Sequence, residues 1–146
     1  MKIIVAGCAI LLAGIMGACN GNNKVSVKEE VSKTQLDTAH YTDIAWKDSV
    51  VNVGNLTMGD TTLITFHFNN VGQHPLVIAK VRPGCGCTTA GYTKEPVLPG
   101  GEGVVTAAFD TKRAHVGTFR KYMIVTANTH ERQQFELIFT GEIKEK

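Results

Sequence analysis

An excess of charge of one sign is the first thing this chain lacks. Its 146 residues carry 15 Lys and Arg against 13 Asp and Glu, a net of +2. A nucleic-acid binder must neutralise several phosphates with a basic stripe, and no such stripe occurs. Proline is scarce, at four, and long stretches of helical polar–apolar spacing are few, while glycine reaches 15. That balance leans toward β structure. Catalytic signatures are missing too: there is no Gly-x-Ser-x-Gly, no His-Glu-x-x-His and no phosphate-cradling glycine loop. The glycine-rich Pro99-Gly100-Gly101-Glu102-Gly103 lies between strand-like runs and reads as a turn. Glu95, Glu102 and Asp110 could work as acid and base only if folding brought them together. The chain is therefore expected to be no enzyme and to need no cofactor.

What is present suffices for a packed core. Hydrophobic residues make up 43 % and charged residues 19 %, which excludes wholesale disorder and leaves room for one domain plus a tail.

The N-terminus speaks to compartment. Met1-Lys2 is a short positive start, and Ile3 to Met16 is apolar or small throughout. A run of that length falls short of the ~20 residues of a spanning helix and suits a secretion signal. It stops abruptly at Gly17-Ala18-Cys19, and the polar run Asn20-Gly21-Asn22-Asn23-Lys24 follows. This resembles a bacterial lipoprotein signal, with Met16-Gly17-Ala18-Cys19 as its lipobox and Met where Leu is commoner. The alternatives are a plain secretory signal cut near Ala18 or an uncleaved anchor. The resemblance implies removal of residues 1–18 and thioether lipidation and N-acylation of Cys19. Several acyl chains anchor stably, since each buried CH₂ contributes ~0.8 kcal/mol. Residues 1–18 hold one basic and no acidic residue, so the mature chain keeps 14 against 13, and its membrane attachment must be lipidic. Asn20 is not the Asp that resembles an inner-membrane retention signal, which points to the outer membrane.

Residues 19–43 read as the lipidated Cys and a flexible tether, polar and without period-two runs. A short amphipathic helix over Val27 to Leu36 is the alternative. From residue 44 to 146 the pattern is that of strands. Ser49 to Val53 reads as one, ending at Gly54-Asn55. In Thr61 to Phe68, Ile64, Phe66 and Phe68 share one face, while Thr65 and His67 share the other. Pro75 to Val81, Gly103 to Phe109, Thr118 to Ala127 and Gln133 to Ile143 follow, with a short strand near Cys87 to Thr89. About seven strands within ~100 residues are expected to form an all-β, immunoglobulin-like sandwich. Trp46 and Tyr41, at the entry, are expected to cover one end of it.

Three passages in order carry a family resemblance. They are Phe66-His67-Phe68-Asn69-Asn70-Val71-Gly72 with Pro75-Leu76, then Cys85-Gly86-Cys87-Thr88 with Tyr92 to Pro96 and Leu98-Pro99-Gly100. The third is Phe109-Asp110-Thr111 with Gly117 to Lys121, Val125, Asn128 and Gly141. Over residues 44–143 the chain resembles the domain-of-unknown-function family 1573. The resemblance implies a Gram-negative envelope protein with a fold of the Hydin and pilus-chaperone type. It implies no activity.

With Cys19 taken by lipid, Cys85 and Cys87 remain in the mature chain. An even pair in an oxidising envelope invites a disulfide. Residues i and i+2 on a regular strand lie ~6.5–7 Å apart at Cα, at the limit of bridging, so the chain must bend at Gly86. A bridge across so tight a loop contributes little chain-entropy stabilisation, and a strained, reducible pair is what a thiol-redox site would look like. As thiolates, the same atoms suit Cu(I) or half of a zinc site. His67, His74, His115 and His130 show no ligand spacing to complete one. The plainer alternative is a pair that only shapes the loop. Arg82, Lys112, Arg113, Arg120 and Lys121 form a scattered positive set that reads as a solvated face.

Together these readings predict a non-enzymatic, lipid-anchored envelope module that binds another envelope protein through sheet edges and loops. A metal or thiol-redox carrier at Cys85 and Cys87 is the alternative. Asp37-Thr38-Ala39, Asp48-Ser49-Val50 and Asp60-Thr61-Thr62 resemble the acceptor signal of an envelope O-glycosylation system. Thr38, in the tether, is the most accessible of the three acceptors.

Overall fold

Alternation decides the architecture. In Thr61–Asn70 the side chains of Ile64, Phe66 and Phe68 are buried and those of Thr65 and His67 exposed, as the period-two reading expects. A computed structural model describes residues 40–146. Its strands are β1 (Ile44–Trp46), β2 (Val50–Thr57), β3 (Thr61–Asn70) and β4 (Ile78–Pro83). They continue with β5 (Thr88–Tyr92), β6 (Glu102–Asp110), β7 (Gly117–Ala127) and β8 (Gln134–Lys144). One four-stranded sheet has the order β1-β3-β6-β5 and the other β2-β8-β7-β4. The pairings are antiparallel except β2 with β8, which is parallel. The described residues form an all-β, immunoglobulin-like sandwich.

Each central strand sends its alternate residues inward. Phe66 and Phe68 of β3 meet Val105 and Phe109 of β6, and Met123 and Phe139 close the core from the second sheet. Burying each such side chain contributes ~1.5–3 kcal/mol, which makes this interior the main source of stability. Phe109 anchors an aromatic group, with ring centroids 4.9 Å from Phe119 and 5.4 Å from Phe139. Trp46 packs edge-on against Phe68 at 5.3 Å and leans on Phe135 at 6.0 Å.

Several boundaries differ from the sequence reading, each for a local reason. Among the described residues there are eight strands rather than seven, because β1 has only three residues and shows no periodicity. Strand β2 does not stop at Gly54-Asn55. The register with β8 shifts between Asn52 and Asn55, and Gly54 takes a φ of 72°, so a bulge absorbs the turn-like residues. Strand β4 starts at Ile78 rather than Pro75. Pro75 has no N–H to give a ladder, and the N–H of Val77 goes to the Asn128 side chain instead, at 2.7 Å. The packed body also begins before residue 44: Thr42 is fully buried and its N–H donates to the Asn128 carbonyl at 3.0 Å.

The sandwich has two distinct ends. Strand β3 runs from Thr61, paired with Asp110, to Asn70. Its ten residues separate the ends by roughly 30 Å at ~3.3 Å per residue. The chain enters at the Asn70 end.

Candidate functional site

At the Asp110 end, β4 leads through Gly84 into a three-residue loop. Cys85 and Cys87 are joined there by a disulfide, with Cα atoms 5.3 Å apart. The bend at Gly86 brings them within ordinary bridging distance. Backbone bonds hold the loop on both sides. The Gly84 N–H donates to the Tyr122 carbonyl of β7, and the Asp110 N–H of β6 donates to the Cys87 carbonyl, each at 2.9 Å. The two cysteines are not equivalent. Cys87 is 6 % exposed and belongs to the core, whereas Cys85 is only half-buried. The Thr88 hydroxyl lies 3.5 Å from Cys85 Sγ and 4.0 Å from Cys87 Sγ.

A 3₁₀ turn, Thr111–Arg113, flanks the loop. The Asp110 carboxylate accepts from the Lys112 N–H at 3.0 Å, which starts the turn. Thr111 is buried, and its hydroxyl binds the carbonyls of Thr57 and Asp60 at 3.0 and 2.8 Å, tying the β2–β3 turn to it. The turn then carries Arg113 to Gly86, where Nη2 lies 3.4 Å from the position a Gly86 Cβ would occupy.

At the opposite end two buried asparagines tie the loops together. The Asn70 amide nitrogen donates to the carbonyls of His74 and Val97 at 2.7 and 2.8 Å. Its oxygen accepts from the Thr42 hydroxyl at 2.8 Å and from the Gly72 N–H at 3.1 Å. Asn128 donates to the carbonyls of His40 and Pro75, both at 3.0 Å. A Cβ on Gly72 would sit 2.2 Å from Thr42 Oγ1 and 2.4 Å from the Asp43 nitrogen, so only glycine fits that close approach. On these fixed loops stand two exposed apolar residues, Val71 at 58 % and Leu98 at 67 %. The Gly100 N–H donates to the Asn70 carbonyl at 2.8 Å, which keeps their loops together. The asparagines, Gly72 and Leu98-Pro99-Gly100 thus belong to one loop-holding device.

The other sequence candidates are scattered. Cys19 and Thr38 lie outside the described residues. His67 is on the outer face of the first sheet, His74 and His130 are at the Asn70 end, and His115 follows the 3₁₀ turn. Among the described residues no group of three or more His, Cys, Asp or Glu could hold a metal. Glu102 is exposed and pairs with Lys47 at 2.9 Å, and hydrogen bonds from Lys47 and Asn69 hold its carboxyl below the ordinary value. Asp110 is spent on the turn, and Glu95 stands alone in the β5–β6 connection, so the three carboxylates do not converge. Of the positive set, Arg113 has a specific place and Arg120 pairs with Glu136 at 3.9 Å on the outer face of the second sheet. Thr88 follows Cys87 directly in the chain, whereas nothing in the sequence marks Arg113 as a neighbour of the cysteines. The pairing of Thr88 with Phe109 brings the 3₁₀ turn to the loop, and that register is not written in either segment alone.

Solved structures share the fold. A protein of unknown function from Porphyromonas gingivalis W83 superposes with a TM-score of 0.64 at 20 % identity, over 73 % of this chain and 49 % of its own. The present chain therefore spans about half of that protein's length. The seventh PapD-like domain of human CEP192 superposes with a TM-score of 0.55 at 12 % identity, over 73 % of this chain and 88 % of its own. No curated protein matches the chain by sequence. Residues 44–143, which hold both loop ends and every strand but the tip of β8, match the model described as protein of unknown function (DUF1573), and the chain belongs to that family.

Proposed function

We propose that this chain is a non-enzymatic, lipid-anchored module of the bacterial envelope that binds another envelope protein through its Asn70 end. The observation that carries the reading is the pair Val71 and Leu98, exposed at 58 % and 67 % on loops held by buried side-chain bonds. Apolar side chains on fixed loops lose little entropy when a partner covers them, which is what a preorganised recognition surface requires. The lipobox-like Met16-Gly17-Ala18-Cys19 supports anchoring, with residues 1–18 removed, Cys19 acylated and the polar stretch after it serving as the tether. Sorting to the outer membrane fits Asn20 after the lipidated Cys. The partner is a protein rather than a nucleic acid, in keeping with the near-neutral charge.

A photo-crosslinking side chain at Leu98, activated in intact envelopes, is the test. A discrete adduct at position 98, and none from the same group at Thr106 on the outer face of β6, is expected. Indiscriminate adducts from both positions, or none from 98, would refute the reading.

A further inference from the structure

We propose that the Cys85–Cys87 disulfide is a reversible two-electron acceptor for a partner protein's dithiol, with Cys85 as the sulfur attacked. It stands apart from partner binding at the other end, and three observations support it.

The bridge does little for the fold. It closes a loop between residues two apart, and constraining so short a loop removes little freedom from the unfolded chain. The loop's flanks are already held, by Gly84 N–H to Tyr122 and Asp110 N–H to Cys87. Breaking the S–S bond is thus a local event on a sandwich that stays intact, the condition for a reversible couple. The second observation is asymmetry. Cys87 is 6 % exposed in the core while Cys85 is half-buried, next to the exposed Gly86. An incoming thiolate reaches Cys85. The third is the environment of the sulfurs. The Arg113 guanidinium lies over the middle residue of the loop, and the Thr88 hydroxyl is close to both Sγ atoms. A cation at the loop and a hydroxyl nearer Cys85 than Cys87 favour the Cys85 thiolate over its thiol, which speeds departure of Cys85 when the mixed disulfide is resolved.

The exchange balances as follows. A partner thiolate attacks Cys85 Sγ, the Cys85–Cys87 bond breaks, and its electron pair leaves on Cys87 as thiolate. The partner's second thiol gives up its proton and attacks the partner sulfur of the mixed disulfide. That bond breaks, and its electron pair returns to Cys85. The partner ends as a disulfide, and Cys85 and Cys87 end reduced, having gained two electrons and, on protonation, two protons. A second disulfide of the same class reoxidises the pair by the reverse steps.

The test uses the full chain in glutathione buffers of varied reduced-to-oxidised ratio. Alkylation and peptide mass count thiols at Cys85 and Cys87, which keeps Cys8 and Cys19 out of the count. The reduced fraction should rise smoothly with the ratio, fall again on reversal, and leave the thermal unfolding transition in place. A pair that stays oxidised at every ratio and yields only in denaturant would overturn the proposal. In the reduced chain, Arg113→Gln should raise the pH midpoint for iodoacetamide modification of Cys85 and slow the reaction at pH 7 several-fold, an effect a merely structural arginine would not have. An unmoved midpoint would remove Arg113 from the account. Finally, Cys85 in Cys87→Ser should take up oxidised glutathione at least tenfold faster than Cys87 in Cys85→Ser. Equal rates would contradict the assignment of Cys85.

Discussion

The side-chain amide of Asn70 donates to the carbonyl of Val97, 27 residues further along, at 2.8 Å, both groups being buried. The same amide binds the backbone of His74 and Gly72 in its own loop and the Thr42 hydroxyl, so three segments meet on one side chain. Burial raises the stakes, since a polar group left unpaired there costs ~1–3 kcal/mol.

Asn70→Ala should therefore cost about 2–4 kcal/mol, a large part of the ~5–15 kcal/mol that holds a small domain together. The neighbouring Asn69→Ala, whose amide reaches only the exposed Glu102, should stay within ~0.5 kcal/mol. Urea unfolding of the two variants checks the difference, and similar losses would mean the loop end is not held as described.

A second comparison reads the register of β3. Phe66 is fully buried and His67 exposed. Phe66→Ala should cost about 3–5 kcal/mol and His67→Ala under ~1 kcal/mol. Equal losses in denaturant unfolding would place the strand one residue out of step.

These two predictions differ in how far the sequence alone supports them. The alternation of Ile64, Phe66 and Phe68 against Thr65 and His67 is a local pattern, so the strand, its inward face and the sandwich class could be read directly. Asn69-Asn70 shows no such pattern. Which asparagine turns inward depends on the parity of β3, and its partners at Thr42 and Val97 are brought to it only by folding. Strand β1 was illegible because three residues cannot display a period. The cysteine loop was legible as a pair, yet its neighbour Arg113 was not, because the pairing of β5 with β6 delivers it.

The Glu102 carboxyl gives a pH signature. Hydrogen bonds from Lys47 first, and Asn69 second, lower its pKa. A carboxyl lowered on folding adds stability above its unfolded value and loses it as pH falls through the folded one. In an NMR titration Glu102 should lose its proton below the ordinary carboxylate range, and Lys47→Gln should move it up toward that range. An unmoved midpoint in the variant would mean that the pair at 2.9 Å does not form in solution.

Anchoring and modification are read by mass. Cys19→Ser should leave a protein of unprocessed size that takes up no labelled fatty acid. Normal maturation and acylation of that variant would contradict the lipoprotein reading. The intact mass of the envelope-purified protein should exceed peptide plus lipid by a glycan, and Thr38→Ala should abolish the increment. A mass equal to peptide plus lipid alone would end the idea of O-glycosylation.

The most direct test of partner binding uses Val71→Asp and Leu98→Asp together, in the lipid-anchored chain within intact envelopes. Both side chains are exposed, so the unfolding free energy should change by no more than ~0.5 kcal/mol for each. Crosslinked capture of the partner should nevertheless fall at least tenfold, because two carboxylates would have to be desolvated against it. Capture that persists undiminished in a folded, anchored double variant would contradict recognition through the Asn70 end.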